Sequence, residues 1–388
     1  MGRRAIRRGA LLLATAVAIA GCSSPGTPGP APTPGPETQS HPSTPPVTSP
    51  SRSPQPPPRQ PLTIAVAGDV HFEGVLRSRL DDPSTALAPA TTALAGADVA
   101  IVNLETSVGT GGDPEPGKRY PFQAPPSAFT ALAAAGVDVA TMANNHALDF
   151  GRAPLAGTFR AIATAAQADP PLHVVGLGRD AEAAFAPARI EVDGVEVAVI
   201  GATLAADDPT ADPTGHWAAT DVRAGTADAV DPARLLAAVA DAAAEADVVV
   251  AYLHWGIQGE RCPTDKQQSL ARELVDAGAD VVAGTHAHRL QGDGRLRPDD
   301  PAYVAYGLGN YAWYSQGSEV SSTTGVLTLT VRPAAEPGGR ARVTAAQWEP
   351  ARIGTDGLPS PLRRSDRAAL ADFEAERADL RTCAGLSR

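Results

Sequence analysis

Apolar runs recur along the chain from residue 62 onward, at 62–67, 99–102, 137–143, 195–201, 248–253, 280–283 and 303–307, with a late pair at 325–331 and 342–348. Their lengths and apolar character predict buried strands. Between the earlier runs lie alanine-rich stretches that predict helices, at 86–95, 127–135, 154–166, 232–246 and 264–277. Strand and helix in alternation predict an α/β fold with a parallel-type sheet, and in such sheets ligands gather at the carboxyl ends of the strands. No second break rich in Pro and Gly interrupts residues 62–388, so this body reads as one domain.

The residues before it carry a different pattern. Arg3, Arg4, Arg7 and Arg8 precede a short apolar run ending in Ile19-Ala20-Gly21-Cys22. That run is too short for a secure membrane span and reads as the core of a signal peptide covering residues 1–21. The small residues before Cys22 resemble a lipobox, which predicts that Cys22 is lipidated and anchors an exported chain to the outer face of the cytoplasmic membrane. The arginines fit either the general or the twin-arginine export route. Residues 22–61 are dominated by Pro, Ser, Thr, Gly and Gln and have little apolar surface to bury, so they are expected to form an extended, poorly ordered tether.

Composition narrows the partners. The chain has 32 Lys and Arg against 43 Asp and Glu, a formal charge of −11, and removal of the four leading arginines takes it to −15. So acidic a body argues against nucleic acid as a partner. With Cys22 lipidated, Cys262 and Cys383 remain, a pair that predicts a disulfide between the C-terminal tail and the loop after His254. Two free thiols, or Cys262 as a metal ligand, are the alternatives.

The strand ends hold the candidate chemistry. Gly68-Asp69-Val70-His71 follows the first run and Gly284-Thr285-His286-Ala287-His288 follows the sixth, each placing two metal-type side chains two residues apart, where extended chain points them the same way. Asn103-Leu104-Glu105 ends the second run, where a carboxylate emerging from a buried strand is costly unless a cation meets it; capping of the following segment is the alternative. The third run ends in Asn144-Asn145-His146 with Asp149 close behind: the Asn145 amide oxygen is a hard neutral donor, His146 a proton donor, and Asp149 a group to hold its ring. His254-Trp255-Gly256 ends the fifth run, and Leu308-Gly309-Asn310 follows the seventh, where Asn310 either orients a ligand or closes a turn. His41 falls in the tether, and His173 and His216 are assigned no role.

Taken in order, Gly68-Asp69, Asn103-Leu104-Glu105, Asn144-Asn145-His146, His254-Trp255-Gly256, Gly284-Thr285-His286-Ala287-His288 with Gln291, and Tyr306-Gly307-Leu308-Gly309-Asn310 resemble the CapA family of poly-γ-glutamate capsule synthesis proteins. The same positions resemble the calcineurin-like metallophosphoesterases. That resemblance implies an α/β/β/α fold, a two-sheet sandwich flanked by helices. It implies two divalent ions (Mn, Fe or Zn), one on Asp69, His71 and His288, the other on Asn145, His254 and His286, with Glu105 bridging and His146 as the acid near the leaving group. Asn144 and Asn310 are the expected substrate contacts. Glu105 departs from the phosphoesterase pattern, which has Asp at this position. The implied function is hydrolysis of an anionic phosphate ester by a surface lipoprotein linked to capsule synthesis. The alternative is a non-catalytic factor that binds or exports an anionic γ-linked polymer such as poly-γ-glutamate, alongside capsule-synthesis membrane proteins.

Overall fold

The computed structural model describes residues 59–314, 318–334 and 339–388. The expected signal peptide, Cys22 and nearly all of the tether lie outside the described residues. Two large sheets form the body. The first runs, edge to edge, Pro359–Pro361, Arg342–Ile353, Thr323–Arg332, Leu62–Val70, Val99–Leu104, Val139–Thr141 and His173–Val175. The short strand Asn310–Ala312 pairs with the far end of Leu62–Val70, setting Asn310 opposite Asp69. The second runs Asp293–Gly294, Tyr303–Ala305, Val281–Thr285, Val248–His254, Val195–Thr203 and Ala188–Val192.

Alternation along the strands explains the layering. Ile64 and Val66 pack with Ile101, Val199, Val250 and Val281 in a core between the sheets. Their neighbours Ala65 and Ala67 turn outward to Phe129 and Leu132 of helix Ser127–Ala134. In the second sheet Ala198, Ile200 and Ala251 turn outward to Leu235 and Val239 of helix Ala233–Glu245 and to Leu270 and Leu274 of helix Asp265–Ala277. Both faces of each central strand are therefore apolar, which is why the sequence shows continuous runs rather than alternation. The result is an α/β/β/α sandwich whose central strands are parallel and whose edges are antiparallel except at His173–Val175, which pairs in parallel.

Register is fixed by a repeated device. An aspartate stands just before four of the parallel strands and accepts a backbone N–H of the neighbouring strand: Asp98 from Thr63 (2.8 Å), Asp138 from Ala100 (2.8 Å), Asp247 from Glu196 (3.0 Å) and Asp280 from Val249 (3.0 Å). A one-residue slip would break the bond and turn the apolar set around. Helix Asp265–Ala277 begins on a Thr264/Gln267 capping box and ends at Gly278, whose φ of +121° disfavours other residues.

The structure departs from expectation at residues 86–95, where helix is confined to Thr92–Ala95. Pro89 lacks the N–H that a longer helix requires. The strand expected over 137–143 narrows to Val139–Thr141, because Met142 and Ala143 already lead into the turn that carries Asn144 and Asn145. Edge strand Ala188–Val192 and helix Arg367–Cys383 add to the expected elements. Cys262 and Cys383 are joined as a disulfide with Cα atoms 5.7 Å apart, tying that helix to the loop after His254.

Gly284, just before the His-x-His turn, shows how tightly the strand ends of the second sheet are fitted. A Cβ there would lie 2.1 Å from Trp255 Nε1 and 2.4 Å from the Tyr306 carbonyl, the two ends of a buried 2.8 Å hydrogen bond. We expect Gly284→Ala to destabilise the fold by about 1–3 kcal/mol, the usual cost of overpacking. Chemical denaturation reads this directly, and an unchanged midpoint would contradict the fit.

Candidate metal centre

The parallel strands of both sheets end on the same side of the sandwich, and the side chains delivered there converge. Glu105, His254 and His286 present ligand-type atoms within 4.8 Å of one another, as do Asp69, Glu105 and His288. Glu105 is common to both sets. Asn145 joins the first: its Oδ1 lies 2.7 Å from His254 Nε2, which lies 3.0 Å from His286 Nδ1. Asp69, Glu105, His254 and His286 are wholly buried.

The backbone is bent to achieve this. His286 has φ of +93° and His288 of +55°, so a left-handed turn rather than extended chain carries both imidazoles inward. Such conformations in non-glycine residues cost of order 1–3 kcal/mol each and cluster at functional sites. Gln291 accepts from Gln267 of the helix cap at 3.0 Å and donates to the Glu260 carbonyl, anchoring the chain just beyond the turn.

The electrostatics favour a cation. Asp69 Oδ2 and both oxygens of Glu105 are buried without a hydrogen-bond partner, an arrangement that costs free energy unless something else satisfies them. Burial and the neighbouring Asp69 push the Glu105 carboxyl well above the carboxylate range. Asp69 keeps its charge, because His288 and His254 outweigh the effect of burial and bring it down to about 2. Burial pulls His254 down to about 3 and His286 to about 4, leaving both imidazoles neutral at pH 7, the form that binds metal. Burial also works against the His288 imidazolium, but Glu105 and Asp69 raise it to about 9.

These donors fit divalent metal: mixed N and O ligands, neutral imidazoles and orphaned carboxylate oxygens. Because His288, raised to about 9, holds a proton at pH 7 without a cation, metal loading must expel it. We expect affinity to rise with pH between 6 and 8, roughly tenfold per unit for each proton released. Calorimetry in two buffers of different ionisation enthalpy reads the proton count, and pH-independent affinity would contradict the assignment.

Beside the centre opens a cleft of about 490 Å³, where His146, Asn145 and His288 meet Lys118, Arg119 and Tyr314. His146 Nδ1 lies 2.6 Å from Asp149 Oδ2, and its Nε2 is 3.7 Å from Glu105 Oε1. Phe122 stacks on the His146 ring at 4.2 Å. The other oxygen of Asp149 pairs at 3.0 Å with Lys118, whose side chain is only 1% exposed and whose Nζ also donates to the Asn145 carbonyl at 2.6 Å. Burial raises Asp149 to about 7 against the pull of Lys118, while burial and Lys118 together keep the His146 imidazolium well below its ordinary range.

Three of the expected site residues are engaged by protein groups in the structure. His71 lies outside both ligand sets: its Nδ1 accepts the Glu73 N–H at 2.9 Å, its Nε2 faces the Tyr314 N–H at 3.3 Å, and its ring is packed by Phe122, Trp313 and Tyr314. Asn144, expected to touch substrate, donates to Asn103 Oδ1 and the Leu104 carbonyl and accepts the His146 N–H, three bonds that shape the turn. Asn310, the other expected contact, accepts from His288 Nδ1 at 2.9 Å and donates to the Ser321 carbonyl. Sequence reasoning missed Asp208, 3.0 Å from His286 Nε2, and Lys118. The signals were a pair of aspartates beyond the fourth run and one of only two lysines in the chain.

Residues 63–315 match the family model described as bacterial capsule synthesis protein PGA_cap. The chain is 31% identical over 180 residues to PGA biosynthesis protein CapA of Bacillus subtilis (strain 168), covering 46% of this chain and 43% of that protein. It is 33% identical over 198 residues to a probable polyglutamine synthesis accessory protein of Mycobacterium tuberculosis, covering 49% of this chain and 50% of that one. The chain thus spans about half the length of the curated relatives it matches. Among solved structures it is similar to one described as a novel phosphatase from Mycoplasma pneumoniae, at 13% identity and a TM-score of 0.47 over 76% of this chain and 94% of that one. The family match takes in every candidate ligand from Asp69 to His288, and the chain belongs to the PGA_cap family of bacterial capsule synthesis proteins.

Proposed function

We propose that the chain is a metal-dependent phosphoesterase of the cell surface, acting on an anionic phosphate ester in capsule synthesis. The observation that carries this reading is the buried pair Asp69 and Glu105, with three unpartnered oxygens set among His254, His286 and His288 beside an open cleft. Two divalent ions, Mn, Fe or Zn, are the expected complement, one on Asn145, His254 and His286, the other on Asp69 and His288, with Glu105 between them. When bound, such ions supply Lewis acidity towards a phosphoryl group and bring the pKa of water from about 15.7 towards 7.

The chain's own residues supply the rest. Asp149 holds Nδ1 of His146, which leaves Nε2 directed towards the centre and the cleft, where a leaving oxygen takes up a proton. Burial and Lys118 disfavour the imidazolium, so an incoming phosphate anion, by its own charge, promotes the protonation of His146 that the acid role requires. Lys118 balances Asp149 and holds the Asn145 backbone, keeping ligand loop and acid in one register. Purified chain, loaded with Mn or Zn, is expected to hydrolyse generic phosphomonoesters or phosphodiesters. Metal retention without turnover, together with affinity for poly-γ-glutamate, would support instead the second reading that family membership favours, a binder or exporter of an anionic polymer.

The N-terminal pattern supports attachment through a lipidated Cys22, with residues 22–61 holding the domain off the membrane near capsule-synthesis membrane proteins. Among the described residues no helix is long and apolar enough to cross a membrane. Cys22→Ala is expected to shift the protein from the membrane fraction to the medium, and unchanged fractionation would contradict the anchor.

A further inference from the structure

We infer that Asp208 is a positioning residue for the metal centre, fixing the tautomer and orientation of His286. The inference rests on the metal-centre reading and deepens it by naming a residue beyond the ligands themselves.

Asp208 lies in the loop after strand Val195–Thr203 and is 4% exposed. Its Oδ2 accepts from His286 Nε2 at 3.0 Å and from the Gln258 N–H at 3.0 Å. Its Oδ1 accepts from the Thr210 N–H at 2.8 Å and the Thr210 hydroxyl at 2.7 Å. A carboxylate held by four donors has no freedom to rotate, and an ionised carboxylate only accepts. His286 Nε2 must therefore carry the proton, so the lone pair sits on Nδ1. That is the nitrogen 3.0 Å from His254 Nε2, facing the ligand set with Asn145 and Glu105. The other tautomer would aim an N–H at the cation and a lone pair at Asp208.

The backbone does not accomplish this alone. His286 sits at φ +93°, and its turn sets where the ring is, not which nitrogen holds the proton. The same loop reaches the cleft wall: Asp212 accepts from Arg119 Nε at 2.8 Å, and the Thr210 carbonyl accepts from Arg119 Nη2 at 2.7 Å. Asp212 has no bond to His286, which makes it a control for general damage to the loop. Removing a carboxylate partner of a metal-binding imidazole typically lowers metal affinity by 10- to 100-fold.

The test is calorimetric titration of Mn²⁺ into metal-free full-length protein for the parent, Asp208→Ala and Asp212→Ala, alongside long-range ¹H–¹⁵N spectra of the histidine rings in the metal-free parent. The expected result is an affinity about 10- to 100-fold weaker for Asp208→Ala, parent-like affinity for Asp212→Ala, and a His286 proton on Nε2. Equal losses in the two variants would reduce Asp208 to a loop-folding role and overturn the inference, as would parent-like binding by Asp208→Ala. Should Asp208→Ala fail to fold, the ring spectra decide: a proton on Nδ1 overturns the inference and one on Nε2 supports it. A parent that binds no metal would remove the metal-centre reading itself, whereas a parent that binds metal but hydrolyses nothing leaves this test intact.

Discussion

Glu105→Ala will release bound divalent metal and reduce phosphoester turnover by on the order of a thousandfold, about 4 kcal/mol of transition-state stabilisation. The same substitution should make the metal-free protein more stable. Glu105 is fully buried, both its oxygens lack a hydrogen-bond partner, and it stands beside the charged Asp69. Removing a buried carboxyl with no hydrogen-bond partner relieves a desolvation cost of roughly 1–3 kcal/mol, a gain that the cavity left behind offsets in part. A residue whose loss strengthens the empty fold while abolishing metal retention is held for function. Metal analysis by plasma mass spectrometry and denaturation of the stripped protein check the two halves separately. If Glu105→Ala retained metal at parent stoichiometry, the bridging assignment would be wrong.

His146→Gln carries the second large effect, and its size depends on the substrate. A positioned acid contributes typically 10²- to 10⁴-fold where the leaving oxygen needs a proton. Alkyl phosphate esters should lose that much, whereas an aryl ester whose phenolate departs unaided should lose little, with metal content unchanged in both assays. Equal losses on both esters would mean that His146 acts on ligand geometry and not as an acid. Asp149→Asn is the less discriminating variant. It leaves Lys118 buried and unpaired, and breaking a buried ion pair from one side costs about 3–5 kcal/mol, so folding and chemistry would change together.

The parts of this centre legible in the sequence are those a strand delivers directly. Asp69, Glu105, Asn145, His254 and His286 each follow an apolar run, and the rule that α/β sheets gather ligands at carboxyl ends was enough to place them side by side. The rest depends on geometry that one-dimensional spacing does not encode. His71 shares the two-residue spacing of His286 and His288, yet its ring nitrogens meet the Glu73 and Tyr314 amides. Asn144 and Asn145 are adjacent and chemically alike, but the turn sends one amide to Asn103 and the other to His254. Asp208 and Lys118 come from loops, and what identifies them is a partner far along the chain. The aspartates before four strands, by contrast, were visible as Ala-Asp-Val or Val-Asp-Val at strand starts, with their register bonds apparent only once the strands were paired.

The most direct test of the central claim is anomalous diffraction from crystals of the chain grown with Mn²⁺. The account predicts an anomalous peak bonded to Glu105, His254 and His286 with Asn145 alongside, and a second reached by Asp69, Glu105 and His288. No anomalous density among these residues at saturating Mn²⁺, with the carboxylates of Asp69 and Glu105 paired to other protein groups, would contradict it.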